Sequence, residues 1–199
     1  MPTGVHLRDV RKQLFQAAER VLLRDGPNAL TSRAVTTEAD VAKGVLHRHF
    51  ADFDDFLAEL VRNRIARTAD QAALLHASAG TRTVAENLID ALTELFDPVS
   101  LALMSLVFFR DELRTRVRRH DNALPLLTEA REMLTAYLSA EREQGRIAAD
   151  AEVNSLSLSL IGAGHLLFAG RRRGTLPEAK ELQKMVHTLI ADVVQRRLL

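Results

Sequence analysis

The stretch from Thr31 to Phe50 constrains the fold of this chain more than any other feature. It reads TSRAVTTEADVAKGVLHRHF. Val35 and Ala39 lie four residues apart, the spacing of apolar residues on one face of a helix. Leu46 and Phe50 repeat that spacing after a short interval. The stretch therefore predicts two short helices joined by a tight turn, a helix-turn-helix motif.

The corner of the motif falls at Ala39, Asp40 and Val41. The small side chain of Ala39 allows two backbones to approach closely, and Val41 supplies an apolar group that turns back into the angle. Asp40 stands where such turns use a left-handed residue, a conformation that Asp tolerates better than most residues. The second helix, at about Ala42 to His49, then has the position of a helix that enters a DNA major groove.

Residues 39–50 resemble the recognition helix of the TetR family of transcriptional regulators, whose usual pattern is A-G-V-S-x-G-T-L-Y-x-H-F. The pattern is matched at Ala39, Val41, Gly44, Leu46, His49 and Phe50. The family's Gly, Ser, Thr and Tyr are replaced by Asp40, Ala42, Val45 and His47. The flanks are similar too, because the first helix ends in a glycine, Gly26, and an acidic helix start follows the motif.

The resemblance implies a ligand-responsive transcriptional regulator, a repressor that binds a pseudo-palindromic operator in double-stranded DNA as a homodimer. A small, mostly apolar effector would bind the body, shift the connecting helix and release the operator. The implied fold is all-α, with a three-helix DNA-binding head at residues 1–52. A helical body at residues 53–199 would bind the effector and dimerise. The resemblance implies neither enzyme activity nor a cofactor.

Composition and helix signals favour the same fold class. Hydrophobic residues make up 47% and charged residues 27% of the chain, as in globular proteins. Thr83 to Glu86 has the pattern of a capping box, and Asp97-Pro98 that of a new helix start. Such signals predict about nine helices, with the boundary between head and body inside the fourth. They also predict that Val99 to Phe109 is buried on all sides and that Arg110 to Asp121 is a solvated, charged segment.

Several functional classes are excluded or disfavoured by composition. The chain lacks cysteine, which excludes disulfides and thiolate metal sites and fits a reducing compartment. Its N-terminus has no apolar signal segment and no apolar run is long enough for a bilayer, so we expect a cytoplasmic protein without membrane contact. The net charge of +1 does not by itself predict a nucleic-acid partner. Residues 1–50, however, carry eight Lys or Arg against five Asp or Glu, a local excess of three positive charges.

The polar side of the second motif helix is the expected DNA-reading surface. On an isolated helix, Lys43, His47 and Arg48 would be interpreted as a solvated face, and the helix-turn-helix context reverses that interpretation. By resemblance to the family, the DNA contacts are Ser32, Arg33, Lys43, Gly44, Val45, His47, Arg48 and His49. Gly44 permits close approach to DNA, and Val45 can meet a thymine methyl group. Lys43 or Arg33 can reach the acceptors of guanine.

Methionine, aromatic and imidazole side chains of the body form a candidate effector pocket. They are Met104, Phe108, Phe109, Met133, Tyr137, His165 and Phe168. Such a set suits a mostly apolar ligand with one or two polar groups. The alternative is an ordinary hydrophobic core, which is the commoner role for any single residue of these types.

The last two predicted helices, at residues 151–169 and 177–198, form the expected dimer interface. The final helix carries a wide apolar stripe, and the helix before it carries serines and glycines that allow close helix contact. A stripe of that width exceeds what the surface helix of a monomer needs.

Two other interpretations stay open. The first is a helical dimer that binds a ligand or a protein and has lost DNA binding. Asp40, the modest charge of the head, and Phe53 at a position where the family commonly has a lysine favour it. The second is an enzyme on a helical scaffold, although the chain shows no phosphate loop or nucleophile elbow. His47 and His49 point in different directions on a helix, so we expect no metal site.

Overall fold

The computed structural model describes residues 4–118, 125–169 and 175–195. Within those residues the chain forms ten α-helices and one short 3-10 turn, Pro27–Ala29, and the all-α prediction is confirmed. The helices are α1 (Gly4–Asp25), α2 (Ser32–Glu38), α3 (Gly44–His49), α4 (Phe53–Ala77), α5 (Val84–Leu95), α6 (Pro98–Phe109), α7 (Asp111–Val117), α8 (Pro125–Glu143), α9 (Val153–Ala169) and α10 (Ala179–Gln195).

Capping contacts fix the starts of α2 and α5. The hydroxyl of Thr31 accepts a hydrogen bond from the amide of Ala34 at 3.1 Å, which caps α2. At the start of α5, the hydroxyl of Thr83 accepts from the Glu86 amide at 3.2 Å. The Glu86 carboxylate accepts from the Thr83 amide at 2.9 Å, which completes the predicted capping box. Local sequence signals therefore place these helix starts correctly.

The helix that the sequence did not reveal is α7. Residues 110–121 are predicted to be a solvated charged segment, but Asp111–Val117 is helical. Leu113 and Val117 are buried within the first compact unit of the chain, and the charged side chains between them face outward. With two apolar residues in a seven-residue helix, the periodic signal is too short to be recognised. The described residues form ten helices where about nine were predicted, and α7 is the additional one.

The prediction that α6 is buried on all sides is wrong at its C-terminal end. Leu103, Leu106 and Val107 are buried, but Phe109 is 88% exposed. The helix ends directly after this residue. Arg110 has an extended backbone and leads directly into α7, so the last turn of α6 lies at the surface.

The chain divides into two compact units. The first is drawn from Met1–Asn63 and Pro98–Leu124, and the second from Arg64–Asp97 and Pro125–Leu199. The division falls inside α4, and α6 and α7 belong to the first unit. The functional domains expected at 1–52 and 53–199 are not tested by this division, and they stay a prediction.

The core of the first unit is formed where α1 packs on α2 and α6. Val35 and Leu46, which the spacing placed on inward faces, are fully buried. An aromatic cluster joins α3 to α4, because the rings of Phe50 and Phe56 meet edge to face with centroids 5.0 Å apart. Phe53 stacks on Phe56 at 5.7 Å, so its ring packs against the head.

The core of the second unit depends on a close approach between α5 and α9. A Cβ atom at Gly164 would lie 2.7 Å from the ring of Phe96, so a glycine is required there. The same ring lies 5.5 Å from the ring of Phe168 and 6.0 Å from that of His165. α10 packs on α5 and α9 in this unit. The serine and glycine residues of α9 therefore divide between an inner and an outer face.

The apolar helices are short. α6 has 12 residues and α9 has 17. Among the residues that the structure describes, no single helix is long and apolar enough to cross a membrane, and α5 and α6 reach the required length and composition only as a bent pair.

Candidate nucleic-acid interface

The turn between α2 and α3 is a left-handed helix end. Asp40 has a φ of 51°, which confirms the left-handed conformation predicted for it. The amide of Val41 donates to the carbonyl of Thr36 at 3.0 Å, and the amide of Asp40 to that of Thr37 at 3.1 Å. These two hydrogen bonds form a Schellman motif, which satisfies carbonyls that the end of the helix leaves free. The direction of the chain into α3 is fixed by this turn.

Side chains of α1 hold the end of α2. Nitrogens of Arg20 and Arg24 each lie 2.7 Å from a carboxylate oxygen of Glu38. The hydrogen bond from Arg20, followed by that from Arg24, lowers the pKa of Glu38. The amide of Gln13 donates to the carbonyl of Ala39 at 2.7 Å. Both α2 and the turn are therefore anchored to α1.

The C-terminal end of α3 is anchored by Arg11 of α1. The guanidinium lies 4.5 Å from the ring centroid of Phe50, a cation–π contact. It donates to the carbonyl of His49 at 3.3 Å and to the carboxylate of Glu59 at 3.1 Å. α1 and α4 together therefore fix the end of α3.

The acidic start of α4 is paired with arginines of the α6–α7 region. Arg116 contacts both carboxylate oxygens of Asp52, at 2.8 and 3.0 Å. Arg110 lies 3.7 Å from the carboxylate of Asp54. The hydrogen bond from Arg116, with help from the amide of Asp55, lowers the pKa of Asp52. Sequence reasoning missed these pairs, because no local pattern joins residues as far apart as Asp52 and Arg116, which are 64 positions apart.

The predicted DNA-contact residues lie at the start of α2 and along α3. Arg33, Lys43, Gly44, His47 and Arg48 are exposed, and Ser32, Val45 and His49 are half-buried. The hydroxyl oxygen of Ser32 is itself buried and has no hydrogen-bond partner among the described residues. Leu46, by contrast, is fully buried. The side chains of α3 thus separate into an inner, buried face and an outer, exposed face.

Gly44 is not required by the packing of the protein. A Cβ atom at this position would meet nothing within 4 Å. The space beside the first residue of α3 is therefore open to a partner.

The predicted effector residues belong to different units. Met104, Phe108 and Phe109 lie in the first unit, and Met133, Tyr137, His165 and Phe168 lie in the second. Met104 is buried and Phe109 is almost fully exposed. Met133 lines a cavity of about 160 Å³, together with residues such as Leu74, Leu75 and Asn87. The pocket as a set of seven residues stays a prediction.

Buried polar groups next to this cavity were missed by sequence reasoning. Asn87 donates to the hydroxyl of Tyr137 at 3.1 Å, and both residues are buried. Burial, with a hydrogen bond to Glu141, raises the pKa of Tyr137. Glu141 is fully buried and pairs with Arg146 at 3.3 Å. Asn87 falls at helical spacing within the apolar stripe of α5, and that spacing is a signal that could have identified it.

A larger cavity of about 500 Å³ lies beside the start of α5. Its lining includes Val84, Ile190 and Val194, with Thr83, Arg146 and His187 as polar members. None of these residues was in the predicted effector set. His165 was a member of that set, and burial lowers its pKa.

Comparisons with known proteins give a sequence match at the N-terminal end and structural matches over most of the chain. Residues 14–60 match the family model of bacterial regulatory proteins, tetR family. No curated protein matches the chain in sequence.

Solved structures resemble the chain over nearly its full length. The transcriptional regulator FadR from Bacillus subtilis, in complex with stearoyl-CoA, is 15% identical with a TM-score of 0.68, over 92% of this chain and 98% of that one. A putative transcriptional regulator from Saccharomonospora viridis, in complex with choline, is 16% identical with a TM-score of 0.67, over 92% and 96%. A TetR-family member from Streptomyces coelicolor A3 is 23% identical with a TM-score of 0.61, over 92% and 98%.

At these identities the solved structures show a shared fold, and the family model adds a match in sequence over the helix-turn-helix. Residues 14–60 thus match the tetR-family model, and the whole chain has the fold of TetR-family proteins of known structure.

Proposed function

We propose that this protein is a ligand-responsive transcriptional repressor that binds a pseudo-palindromic operator as a homodimer. The observation that carries the proposal is the outer face of α3, where Lys43, His47 and Arg48 are exposed while Leu46 is fully buried. The helix is short and anchored at both ends, by the turn at Asp40 and by Arg11. A rigid helix with an exposed basic face fits a major groove.

The exposed residues divide by the kind of contact that their chemistry allows. Lys43 and Arg33 are proposed to read guanine acceptors, and Val45 a thymine methyl group. His47 and Arg48 are proposed to contact phosphate or sugar, which positions the protein and carries no direct sequence information. Gly44 leaves the open space that a close backbone approach requires.

The proposal is tested by selecting genomic DNA fragments on the purified protein. We expect enrichment of one inverted repeat, with binding that weakens as salt rises because phosphate contacts release counterions. Recovery of fragments without a shared sequence, at every salt concentration, would contradict the proposal.

A specific observation favours the alternative of a helical dimer without DNA binding. Phe53, at a position where the TetR family commonly has a lysine, stacks on Phe56 and carries no charge toward a phosphate. The neighbouring Asp52, Asp54 and Asp55 make the start of α4 acidic. Retention of the protein on DNA at low salt, and its release at high salt, distinguishes the repressor from this alternative.

The proposed dimer forms through α9 and α10. Leu158 and Leu166 on α9 are 58% and 75% exposed, and the exposed Gly162 lies between them at four-residue spacing. Such a stripe permits close contact with a helix of a second copy. Two copies would present two α3 helices, which fits an operator of two inverted half-sites.

The proposed effector binds the second unit. Ligands of quite different chemistry occupy similar folds, stearoyl-CoA in one regulator and choline in another. In this chain the cavity at Met133 combines the apolar side chains of Leu74 and Leu75 with polar and charged residues, among them Asn87, Arg82 and Glu94. α4 contributes Leu74 and Leu75 to that cavity and begins beside α3, so we propose that it transmits the effector signal.

Replacing Gly44 with Ala tests close approach to DNA without disturbing the fold. The added methyl group meets no protein atom, and alanine favours helix, so the free energy of unfolding should stay the same or rise by up to about 1 kcal/mol. Operator affinity should nevertheless fall, as measured by fluorescence anisotropy. Ala42→Gly, a change of the same size at the neighbouring exposed position, is the control. Unchanged affinity of the Gly44→Ala variant would show that DNA does not approach this residue closely.

Replacing Met133 with Trp tests the effector cavity. The larger side chain should fill a space of about 160 Å³ and abolish stabilisation by a ligand found in a thermal-shift screen. That stabilisation amounts to about 2.7 kcal/mol at a ligand concentration 100 times its Kd. Operator affinity in the absence of ligand should be retained. Leu23→Trp on α1, at an exposed leucine outside the cavity, is the control, and equal loss of ligand response in both variants would place the effector elsewhere.

A further inference from the structure

A series of polar contacts runs from the end of α3 to the start of α4 by way of α1 and α7. It begins where Arg11 donates to the carbonyl of His49 at 3.3 Å. Arg11 also binds one oxygen of Glu59 at 3.1 Å, and Arg62 binds the other at 2.6 Å. Arg62 then donates to the backbone carbonyl of Arg116 at 2.8 Å.

The series closes into a ring at Asp52. The guanidinium of Arg116 binds both carboxylate oxygens of Asp52, and Asp52 follows His49 by three residues in the chain. The same carboxylate accepts from the amide of Asp55 at 2.6 Å and so caps α4. The connection between α3 and α4 is therefore enclosed by the contacts of Arg11, Glu59, Arg62, Arg116 and Asp52, which we call the connector ring.

We propose that Arg116 of α7 is a positioning residue for α3, acting through Asp52 and the connector ring. The inference rests on the proposed DNA-binding function. It assigns to α7, a helix outside the matched segment 14–60, a part in setting the angle at which α3 meets DNA. Arg62 and Arg116 meet at a backbone carbonyl, so the ring depends on the placement of α7 as well as on its charge.

Charge alone predicts the opposite result for one variant, which makes the proposal testable. Asp52→Asn removes a negative charge three residues after the end of α3, so simple electrostatics predicts tighter binding to the phosphates of DNA. The proposal predicts weaker binding, because Asn cannot hold the bidentate pair with Arg116. Asn remains a good N-cap, so the start of α4 should be preserved.

The experiment compares Asp52→Asn and Arg116→Gln with the matched control Arg114→Gln. Arg114 lies on the same helix and pairs with Asp111, outside the connector ring. We expect operator Kd to rise roughly 2- to 30-fold in the first two variants and to stay unchanged in the control. The salt dependence of binding should keep its slope, since no phosphate contact is lost. The double variant should be no worse than the weaker-binding single variant, because both changes break one interaction.

Amide hydrogen exchange in the protein without DNA separates this proposal from the proposed function. Exchange across residues 44–51 should accelerate in Asp52→Asn and Arg116→Gln, and not in Arg114→Gln, if the ring holds α3 in place. Unchanged exchange, or tighter operator binding by Asp52→Asn, would overturn the positioning role. Faster exchange in a protein whose wild type binds no operator would uphold the ring and reject the repressor.

Discussion

Lys43→Ala is expected to lose about 1–3 kcal/mol of operator binding and to relax the preference at one base pair. Lys43 is exposed immediately before α3, where its ammonium can reach a guanine edge while Leu46 holds the helix in the core. Arg33→Ala should behave in the same way at a different base pair. Because both side chains are exposed, thermal unfolding should be unaffected.

His47→Ala should give a different pattern. A phosphate contact carries no sequence information, so affinity should fall for all sequences alike and the salt dependence should flatten. Arg131→Ala, at an exposed position on α8 outside the proposed interface, is the control for loss of one positive charge. Affinities are measured at matched salt on the selected operator and on single-base variants. If the Arg33, Lys43 and His47 variants all bind as tightly as wild type, α3 does not read DNA and the alternative of a helical dimer without DNA binding replaces the repressor.

Leu158→Glu combined with Leu166→Glu is expected to convert the dimer to monomers and to reduce operator affinity by about 100-fold or more. Both leucines are exposed on α9, so the charges should not disturb the core of the second unit. A stable interface buries more than about 1,000 Å², and two carboxylates at its centre would be desolvated without partners. A monomer engages only one half-site and loses the effective concentration that dimerisation supplies.

Light scattering measures the mass, and anisotropy measures operator binding. Leu74→Glu is the matched control for the mass, because Leu74 is a 72% exposed leucine on α4, outside the proposed interface. Positions such as Val193 on α10 suit this test less, because Val193 is buried and a charge there would also disturb folding. A double variant that remains dimeric would move the interface away from this face of α9.

The helix-turn-helix could be predicted from sequence because the features that indicate it lie within a few consecutive residues. The four-residue spacing that predicted buried faces holds at Val35 and Leu46, which are both fully buried. The left-handed turn at Asp40 follows from the steric preferences of a few consecutive residues. The caps at Thr31 and Thr83 likewise depend on partners three residues away.

The packing of distant helices could not be predicted from sequence, because a short stretch of residues carries no information about contacts with distant parts of the chain. The helix α7 has too few apolar positions to show a period, and its role depends on Arg116 meeting Asp52, 64 residues earlier. The predicted effector set joined Phe109 to Tyr137 by residue type alone, and the structure assigns them to different units. Phe109 is exposed and Tyr137 fully buried, a contrast that hydrophobicity does not express.

The sequence by itself thus determined the all-α class, the helix-turn-helix and the outward side chains of α3, because spacing, caps and turn sterics act within a few residues. Only the tertiary structure decided that α6 and α7 join the first unit, and that Gly164 faces Phe96 while Gly162 faces outward. It also decided that the connector ring closes around the connection between α3 and α4. These features arise from contacts between residues far apart in the chain, whose pairing is set by how whole helices pack and is therefore absent from any local pattern.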